Sequence, residues 1–113
     1  MKIITATLTL KKLKKMAAPM FGDMVKAVVD IDRELIALDA ELHSDLEALL
    51  LQNGSKQQHL WGINFYPEAS AGEFIEFDSM INVRPSQGNR SRGVENQEIR
   101  SKIIKIASKR IGP

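Results

Sequence analysis

The sequence predicts an α+β domain in which an antiparallel sheet of about four strands carries an N-terminal, a middle and a C-terminal helix packed on one face. Two observations favour this class. Segments of β-branched or alternating apolar residues fill the middle of the chain, and apolar residues recur at helical spacing near both ends. The length of 113 residues fits a single domain spanning residues 1–113.

The composition excludes several kinds of protein. The chain has no cysteine, which excludes disulfides, thiolate chemistry and cysteine-based zinc sites. Its hydrophobic content of 43% and charged content of 27% are typical of a globular protein. No apolar run approaches the roughly 18 residues that a membrane-spanning helix needs. We therefore expect a soluble, cytoplasmic protein with no membrane partner.

The first forty residues contain a short extended segment, a helix and a hairpin. Lys2 to Leu8 reads as a strand or an extended arm, and Thr9 can cap a helix that Pro19 stops. The helix stripe comprises Leu10, Leu13, Met16 and Ala17. Strands Met24–Ile31 and Glu34–Ala40 follow, joined by a two-residue loop at Asp32-Arg33. The expected cross-strand pairs are Val29 with Ile36, Ala27 with Leu38, Val25 with Ala40, and Lys26 with Asp39.

Residues 44–53 fit two interpretations. A helix from Asp45 to about Asn53 would have a capping box of Ser44 and Glu47, with Gly54 just beyond its end. A strand would place His43, Asp45 and Glu47 on one face. We favour the helix, because leucines recur at helical spacing through the segment.

Two more strands and a final helix complete the prediction. Trp61, Ile63 and Phe65 share one face of the strand that Pro67 ends. The stretch Phe74–Val83 alternates cleanly, so it is predicted as a strand with Ile75 and Phe77 in the core. A polar loop leads to a helix from about Asn96 to Arg110, whose inner stripe is Ile99, Ile103, Ile106 and Ala107.

The loop from Asn82 to Arg92 is the leading candidate for a functional site. It holds three arginines and three side-chain amides within eleven residues, and arginine offers a planar fork for phosphate or carboxylate. Polar residues on the strand faces opposite the core would join the loop in a shallow site. The candidate ligand-binding residues are Asn64, Asp78, Asn82, Arg84, Gln87, Asn89, Arg90 and His43. The alternative is a long surface loop whose arginines pair with the acidic middle of the chain and whose side-chain amides satisfy the loop backbone.

No motif indicates a cofactor, a metal or a nucleophile. The loop lacks the Gly-Lys-Ser/Thr of a phosphate-binding P-loop, and the chain has no Gly-x-Ser-x-Gly. His43 and His59 are the only histidines, too few for a zinc site built on them. We expect no bound cofactor and no metal, and catalytic residues stay unassigned.

Charge is unevenly distributed along the chain. Residues 1–22 carry five lysines and no acid, residues 23–83 carry twelve acids against three basic residues, and residues 84–113 carry eight basic residues against two acids. The basic ends either pair with the acidic middle or converge into a surface for nucleic acid.

Three functions therefore stay open. The first is a module that binds an anionic small molecule or a protein partner. The second is a small enzyme acting on a phosphorylated or carboxylated metabolite, in which Arg84 and Arg90 position the anion and His43 or Asp78 transfers a proton. The third is a weak nucleic-acid binder that uses both basic ends.

The stretches GDMVKAVVDIDRELIALDAELHSDLEALLLQNGS, LWGINFYP and FIEFDSMINVRPSQGNRS resemble one bacterial family, domain of unknown function five-six-seven-four. The resemblance covers roughly Met20 to Arg100, and the first twenty residues add nothing to it. It implies a stand-alone small protein but no established activity, substrate, cofactor or catalytic residue. Family members often carry a small, Gly-rich pair where this chain has Asp39 and Ala40.

Overall fold

The computed structural model describes residues 1–113 and shows an α+β fold with an antiparallel sheet and three α-helices. The elements in chain order are β1 (Lys2–Ile4), β2 (Leu8–Thr9), α1 (Leu10–Ala17), β3 (Val25–Asp30), β4 (Leu35–Leu38), α2 (His43–Gln52), β5 (Leu60–Phe65), β6 (Ile75–Glu76), α3 (Gln97–Arg110) and β7 (Ile111–Gly112). Five strands form the main sheet in the order β1-β4-β3-β5-β6, with every neighbouring pair antiparallel. The predicted fold class is confirmed.

The helices cover both faces of the sheet. Helices α1 and α3 pack on the face that carries Val29, Ile36 and Trp61, and they form the larger core with it. Helix α2 packs on the opposite face, where Leu46 and Leu50 contact a smaller core around Val28. The structure thus differs from the predicted single-face arrangement of the helices. The reason is that β4 is apolar on both sides and β3 adds Val28 to the second face, so helix α2 finds an apolar surface there as well.

The β3–β4 hairpin has the predicted register but a longer turn. Val29 pairs with Ile36 and Ala27 with Leu38, as expected from the apolar pattern. Pairing stops at Asp30 and Leu35, so the two-residue loop is wrong and four residues form the turn. The buried Asp30 carboxylate fixes this turn, because its Oδ1 accepts hydrogen bonds from the Asp32 N–H at 2.9 Å and the Arg33 N–H at 3.0 Å.

The far end of the hairpin opens earlier than predicted. Strand β4 ends at Leu38, and Asp39 adopts a left-handed backbone conformation with φ of 74°. The chain turns away there, so the expected partnerships of Asp39 with Lys26 and of Ala40 with Val25 do not form. A positive φ favours glycine, so Asp39 occupies a backbone conformation that most other residues resist.

The helix boundaries follow local capping chemistry at both ends of the chain. Thr9 accepts a hydrogen bond from the Lys12 N–H at 3.2 Å and begins α1, which ends at Ala17 before Pro19. Asn96 caps α3 in the same way. The strand or arm predicted for Lys2 to Leu8 is divided between β1 and the start of β2. Strand β2 pairs in parallel with β7, which joins the start of α1 to the end of α3.

The middle segment is a helix, and its first residue is His43 instead of Asp45. The predicted capping box of Ser44 and Glu47 does not form, since Leu42 occupies the N-cap position without a side-chain bond. The earlier start lets His43 reach the sheet, where its Nε2 atom lies 2.8 Å from the Ile63 carbonyl oxygen.

The predicted strand Phe74–Val83 is the largest error. Only Ile75 and Glu76 pair with β5, and residues Met80–Asn82 form a 3₁₀ turn. Ile75 and Phe77 are half-buried at the margin of the larger core. The strand stops because side chains from the following residues, described below, bond to β5 in place of backbone.

None of the three helices is long and apolar enough to cross a membrane.

Candidate functional site

Side chains continue the sheet where β6 ends. The Asn82 carboxamide accepts a hydrogen bond from the Gly62 N–H at 2.8 Å and donates one to the Gly62 carbonyl at 2.9 Å. It therefore occupies the position that a peptide group would have if β6 continued along β5. Asn82 is fully buried, and its amide also donates to the Arg92 carbonyl at 3.0 Å. All of its hydrogen-bonding capacity is used within the fold.

The Arg84 side chain bonds to the same edge of β5 two residues earlier, at Leu60. Its guanidinium donates to the carbonyls of Leu60 and Gln57, and it stacks 4.2 Å from the centre of the Trp61 ring. Gln87 joins this cluster, because its Oε1 accepts from Arg84 at 3.2 Å. Burial lowers the pKa of Arg84, and the nearby charge of Glu47 opposes that shift. Arg84 and Gln87 thus anchor the loop to the start of β5.

The end of the loop bonds to a carboxylate from the same chain. The Glu95 carboxylate accepts hydrogen bonds from the N–H groups of Arg90 and Ser91 at 2.7 and 2.8 Å. These bonds from Ser91 and Arg90 lower the pKa of Glu95. Asn89 is buried and donates to three carbonyl oxygens within the loop. The backbone N–H groups of Arg90 and Ser91 are therefore already bonded to a carboxylate of the same chain.

A polar cavity of about 470 Å³ lies on the α2 side of the sheet, between α2, β3, β5 and the segment after β6. We call it the His43 pocket. Its volume lies within the range of small-molecule sites, roughly 300–1,000 Å³. The polar side chains that line it are Lys26, His43, Ser44, Asn64, Tyr66, Glu76, Asp78, Ser79 and Arg92. Leu42 and Met80 stand at its rim with 54% and 66% of their surfaces exposed.

His43 is held in one orientation within the pocket. Its Nε2 atom lies 2.8 Å from the Ile63 carbonyl oxygen, and a carbonyl can only accept, so Nε2 carries the hydrogen. Nδ1 is then the acceptor nitrogen of the neutral ring. Burial lowers the pKa of His43. The Ile63 hydrogen bond opposes this shift, the charge of Lys26 adds to it, and the Asn64 side chain and the charge of Asp78 oppose it. A neutral, oriented imidazole at pH 7 follows.

Asn64 has an unused acceptor beside this histidine. Its amide donates to Glu76 Oε1 at 2.9 Å and to the Asp78 carbonyl at 3.3 Å, which fixes the orientation of the side chain. Asn64 exposes 4% of its surface, and its Oδ1 atom is buried without a hydrogen-bond partner. A buried acceptor without a partner costs about 1–3 kcal/mol. Asn64 Oδ1 is therefore the clearest unsatisfied group of the pocket.

The remaining pocket charges balance. Arg92 Nε and Asp78 Oδ1 form an ion pair at 2.7 Å. The Tyr66 hydroxyl donates to Glu76 Oε1 at 3.1 Å, and its pKa is raised by burial and by Glu76. Lys26 lies 5.3 Å from the ring of Phe21 and makes no ion pair. The pocket thus has two cations and two carboxylates around a neutral histidine.

The structure divides the residues predicted for the site into two groups. His43, Asn64 and Asp78 converge in the His43 pocket. The other five contribute to the loop and its anchor on β5, away from that pocket: Asn82, Arg84, Gln87, Asn89 and Arg90. The predicted shallow site would place Asn82 and Arg84 beside Asn64 and Asp78, and only the latter two line the pocket.

Sequence reasoning missed six polar residues of the pocket as site residues. They are Lys26, Ser44, Tyr66, Glu76, Ser79 and Arg92. The strand register could have identified Lys26 and Glu76. Each lies directly opposite Asn64, Lys26 on β3 and Glu76 on β6. Residues in one such row share a face of the sheet. No group of three or more His, Asp or Glu side chains is arranged to hold a metal ion.

Residues 2–110 match the family model described as "Protein of unknown function (DUF5674)". The chain belongs to this family. The match extends beyond the Met20 to Arg100 span inferred from the sequence, and it includes α1 and all of α3. No curated protein and no solved structure matches the chain. The family description assigns no activity, so the functional argument depends on the site itself.

Proposed function

We propose that the chain is a small-molecule-binding protein whose ligand occupies the His43 pocket. The observation that supports this most directly is the buried, unpartnered Oδ1 of Asn64 in the wall of an open cavity. A ligand that donates a hydrogen bond to this oxygen would remove the cost of leaving it unsatisfied. Three other buried atoms lack a partner, Glu47 Oε2, Trp61 Nε1 and Arg84 Nε, but Asn64 is the one of these four residues that lines the pocket.

The lining indicates the chemistry of the ligand. Asn64 Oδ1 and His43 Nδ1 are acceptors, and Glu76 and Asp78 add carboxylates, so the floor favours a ligand with N–H or O–H donors. Leu42 and Met80 at the rim offer apolar surface to a second part of the ligand. The proposed ligand is therefore small, bears amine, amide or hydroxyl donors at one end, and is apolar at the other.

An anionic ligand on the loop from Asn82 to Arg92 stays a prediction, but the geometry favours the pocket over the loop. The buried loop amides and the Arg84 fork already bond within the protein, and Glu95 occupies the backbone donors. An external anion would have to displace these bonds. The His43 pocket needs no such rearrangement.

A ligand screen with a blocked variant tests this proposal. Thermal unfolding would be followed in the presence of small amines, polyols, amino acids and nucleosides, since a ligand that binds only the folded state raises the melting temperature. Ser44 is exposed at the pocket margin, so Ser44→Trp should fill the cavity and abolish the shift. Ser101→Trp, an equally exposed helical position on α3, is the matched control and should retain it.

Two results would contradict the proposal. One is a screen in which no compound raises the melting temperature of the wild-type chain. The other is a shift that persists unchanged in Ser44→Trp, which would place the bound compound elsewhere. Chemical-shift changes at the Asn64 side-chain amide in the wild type would independently locate the ligand.

A catalytic use of the same pocket is the second candidate, and one observation favours it. His43 is neutral, oriented through Nε2, and close in the pocket to the carboxylates of Glu76 and Asp78. Such an imidazole can accept a proton at Nδ1 from a bound substrate. For any compound that the screen identifies, His43→Gln would abolish turnover and retain the binding that depends on Asn64 Oδ1 if this candidate holds. Unchanged turnover would reject it.

A further inference from the structure

We propose that the surface formed by α1 and α3 binds the phosphate backbone of nucleic acid. Both helices pack on the same face of the sheet, with Leu13, Ile103 and Ile106 turned into the shared core. Their outer sides carry the lysines at positions 11, 12, 14, 15, 102, 105 and 109, all of which are exposed. The two basic ends of the chain therefore form one layer of the fold, which we call the basic layer.

The basic layer has almost no counter-charge. Its two helices hold nine basic residues and a single acid, Glu98. Only two ion pairs form in the chain, and Lys109 with Glu34 is the only one that involves the layer. The four lysines of α1 make none. The alternative in which the basic ends pair with the acidic middle is thus realised at Lys109 and Arg92 alone.

Acidic residues are concentrated in another part of the chain. Between residues 39 and 52, from the end of β4 to the end of α2, the chain has four acids and no lysine or arginine. Helix α2 packs on the sheet face opposite the basic layer, so Asp45 and Glu47 lie on the other side of the sheet. A polyanion is attracted to the basic layer and not to this helix, which favours one orientation of the complex.

A shallow cavity in the basic layer suits a phosphate group. Lys102, Lys105 and Lys109 line a space of about 350 Å³ together with Glu34 and two isoleucines. Lys109 is engaged by Glu34 at 2.7 Å, and the ammonium groups of the other two have no ion-pair partner. The 14 residues of α3 extend over about 21 Å, a length that spans roughly six phosphates of one strand.

The composition of the layer favours nucleic acid over a lipid surface. A helix that lies in a membrane interface inserts an apolar face. Here the apolar faces of α1 and α3 are used by the core, with Leu13 and Ala17 buried. Among the large apolar side chains of the two helices, only Ile104 exposes more than a third of its surface. Anionic vesicles are therefore expected to bind more weakly than an oligonucleotide.

Fluorescence anisotropy with labelled, mixed-sequence oligonucleotides tests the proposal. Contacts to about four phosphates give a slope of log K against log salt of roughly −3.6 for duplex DNA and −2.8 for a single strand. Lys12→Glu and Lys105→Glu should each weaken binding at least threefold and reduce the magnitude of the slope by about one. Lys56→Glu changes the net charge equally but lies outside both helices, so its effect should stay below twofold.

Three results would overturn the proposal: no binding at about 50 mM salt, equal weakening by Lys56→Glu and Lys105→Glu, or tighter binding to vesicles containing an anionic lipid than to either oligonucleotide. All the substituted lysines are exposed, so circular dichroism should confirm that each variant folds. The Ser44→Trp variant should bind oligonucleotide normally, which separates this surface from the His43 pocket.

Discussion

The Asn82 side chain pairs with both backbone groups of Gly62, at 2.8 and 2.9 Å, and so substitutes for a strand at the β5 edge. This relationship explains why the alternating stretch before it does not continue as a strand. The edge of β5 is already satisfied by one carboxamide and, two residues earlier, by the Arg84 guanidinium. A loop can then cross the sheet edge without leaving unpaired backbone.

Asn82→Ala should destabilise the fold by about 2–4 kcal/mol, because it leaves the buried N–H and carbonyl of Gly62 without partners. Urea denaturation followed by circular dichroism measures the change. Gln87→Ala removes an exposed amide from the same loop and should cost less than about 1 kcal/mol. Equal losses in the two variants would argue against the strand-like role of Asn82.

Gly62→Ala should cost at least about 2 kcal/mol, because a Cβ at this position would lie 2.5 Å from Ser79 Cβ. Ser79→Gly removes that obstacle, so introducing Gly62→Ala into the Ser79→Gly background should cost less by at least about 1 kcal/mol. Gly72→Ala is the control, since nothing lies within 4 Å of its would-be Cβ. Strictly additive losses from the two substitutions would refute the close approach.

The sequence predicted the parts of the fold that depend on local pattern. The register of Val29 with Ile36 followed from apolar pairing, and Thr9 and Asn96 marked helix starts through their own capping bonds. These features depend only on contacts between residues that are close in sequence or paired within one hairpin. The alternation of Phe74–Val83 was misleading for the opposite reason. Whether an alternating segment pairs depends on what else occupies the sheet edge, here the Asn82 carboxamide from the end of that segment.

Only part of the candidate site could be predicted from the sequence. The alternation of side chains along the predicted strands placed Asn64 and Asp78 on the polar face, and both residues line the pocket. The sequence pattern does not show whether a polar group already has hydrogen-bond partners within the protein. Buried Asn82 and Asn89 therefore looked as free to bind a ligand as Asn64. The difference arises from tertiary contacts: Asn89 donates to three carbonyls, whereas Asn64 Oδ1 has no partner.

Stability at position 39 should rank Gly above Asp, Asp above Ala and Ala above Val. Asp39 has φ of 74°, a conformation that glycine adopts freely, that Asp tolerates, and that a β-branched residue strongly resists. The left-handed conformation costs an ordinary L-residue about 1–2 kcal/mol, so the Gly and Val variants should differ by about that amount. Thermal unfolding of the four proteins gives the order. A Val variant as stable as the Gly variant would contradict it.

Mildly acidic pH should weaken the fold through His43. Burial holds its folded-state pKa below the unfolded value of about 6.5, so between the two pKa values the unfolded chain binds a proton that the folded chain does not. Stability is then complete above about pH 6.5 and falls as the pH drops toward the folded pKa. The loss cannot exceed about 1.4 kcal/mol per pH unit.

Urea unfolding at pH 7.5 and 5.5 measures this effect, compared between the wild type and His43→Gln. The variant should lose less stability between the two pH values. His59→Gln removes the other histidine and leaves His43 in place, so it should retain the wild-type dependence. If His43→Gln and His59→Gln behave alike, the buried imidazole does not cause the pH dependence.

Arg84 should be required for the environment of Trp61, the only tryptophan in the chain. Its guanidinium lies over the indole ring and donates to the carbonyls of Gln57 and Leu60 at the start of β5. Arg84→Ala should lower stability by about 2–3 kcal/mol and shift tryptophan emission to longer wavelength as the ring meets water. Arg84→Lys keeps the charge but cannot make the forked bonds while stacked, so it should recover less than half of the loss. Arg90→Ala, an exposed arginine in the same loop, should leave the emission unchanged. An unshifted spectrum in Arg84→Ala would show that the stacked arrangement does not persist in solution.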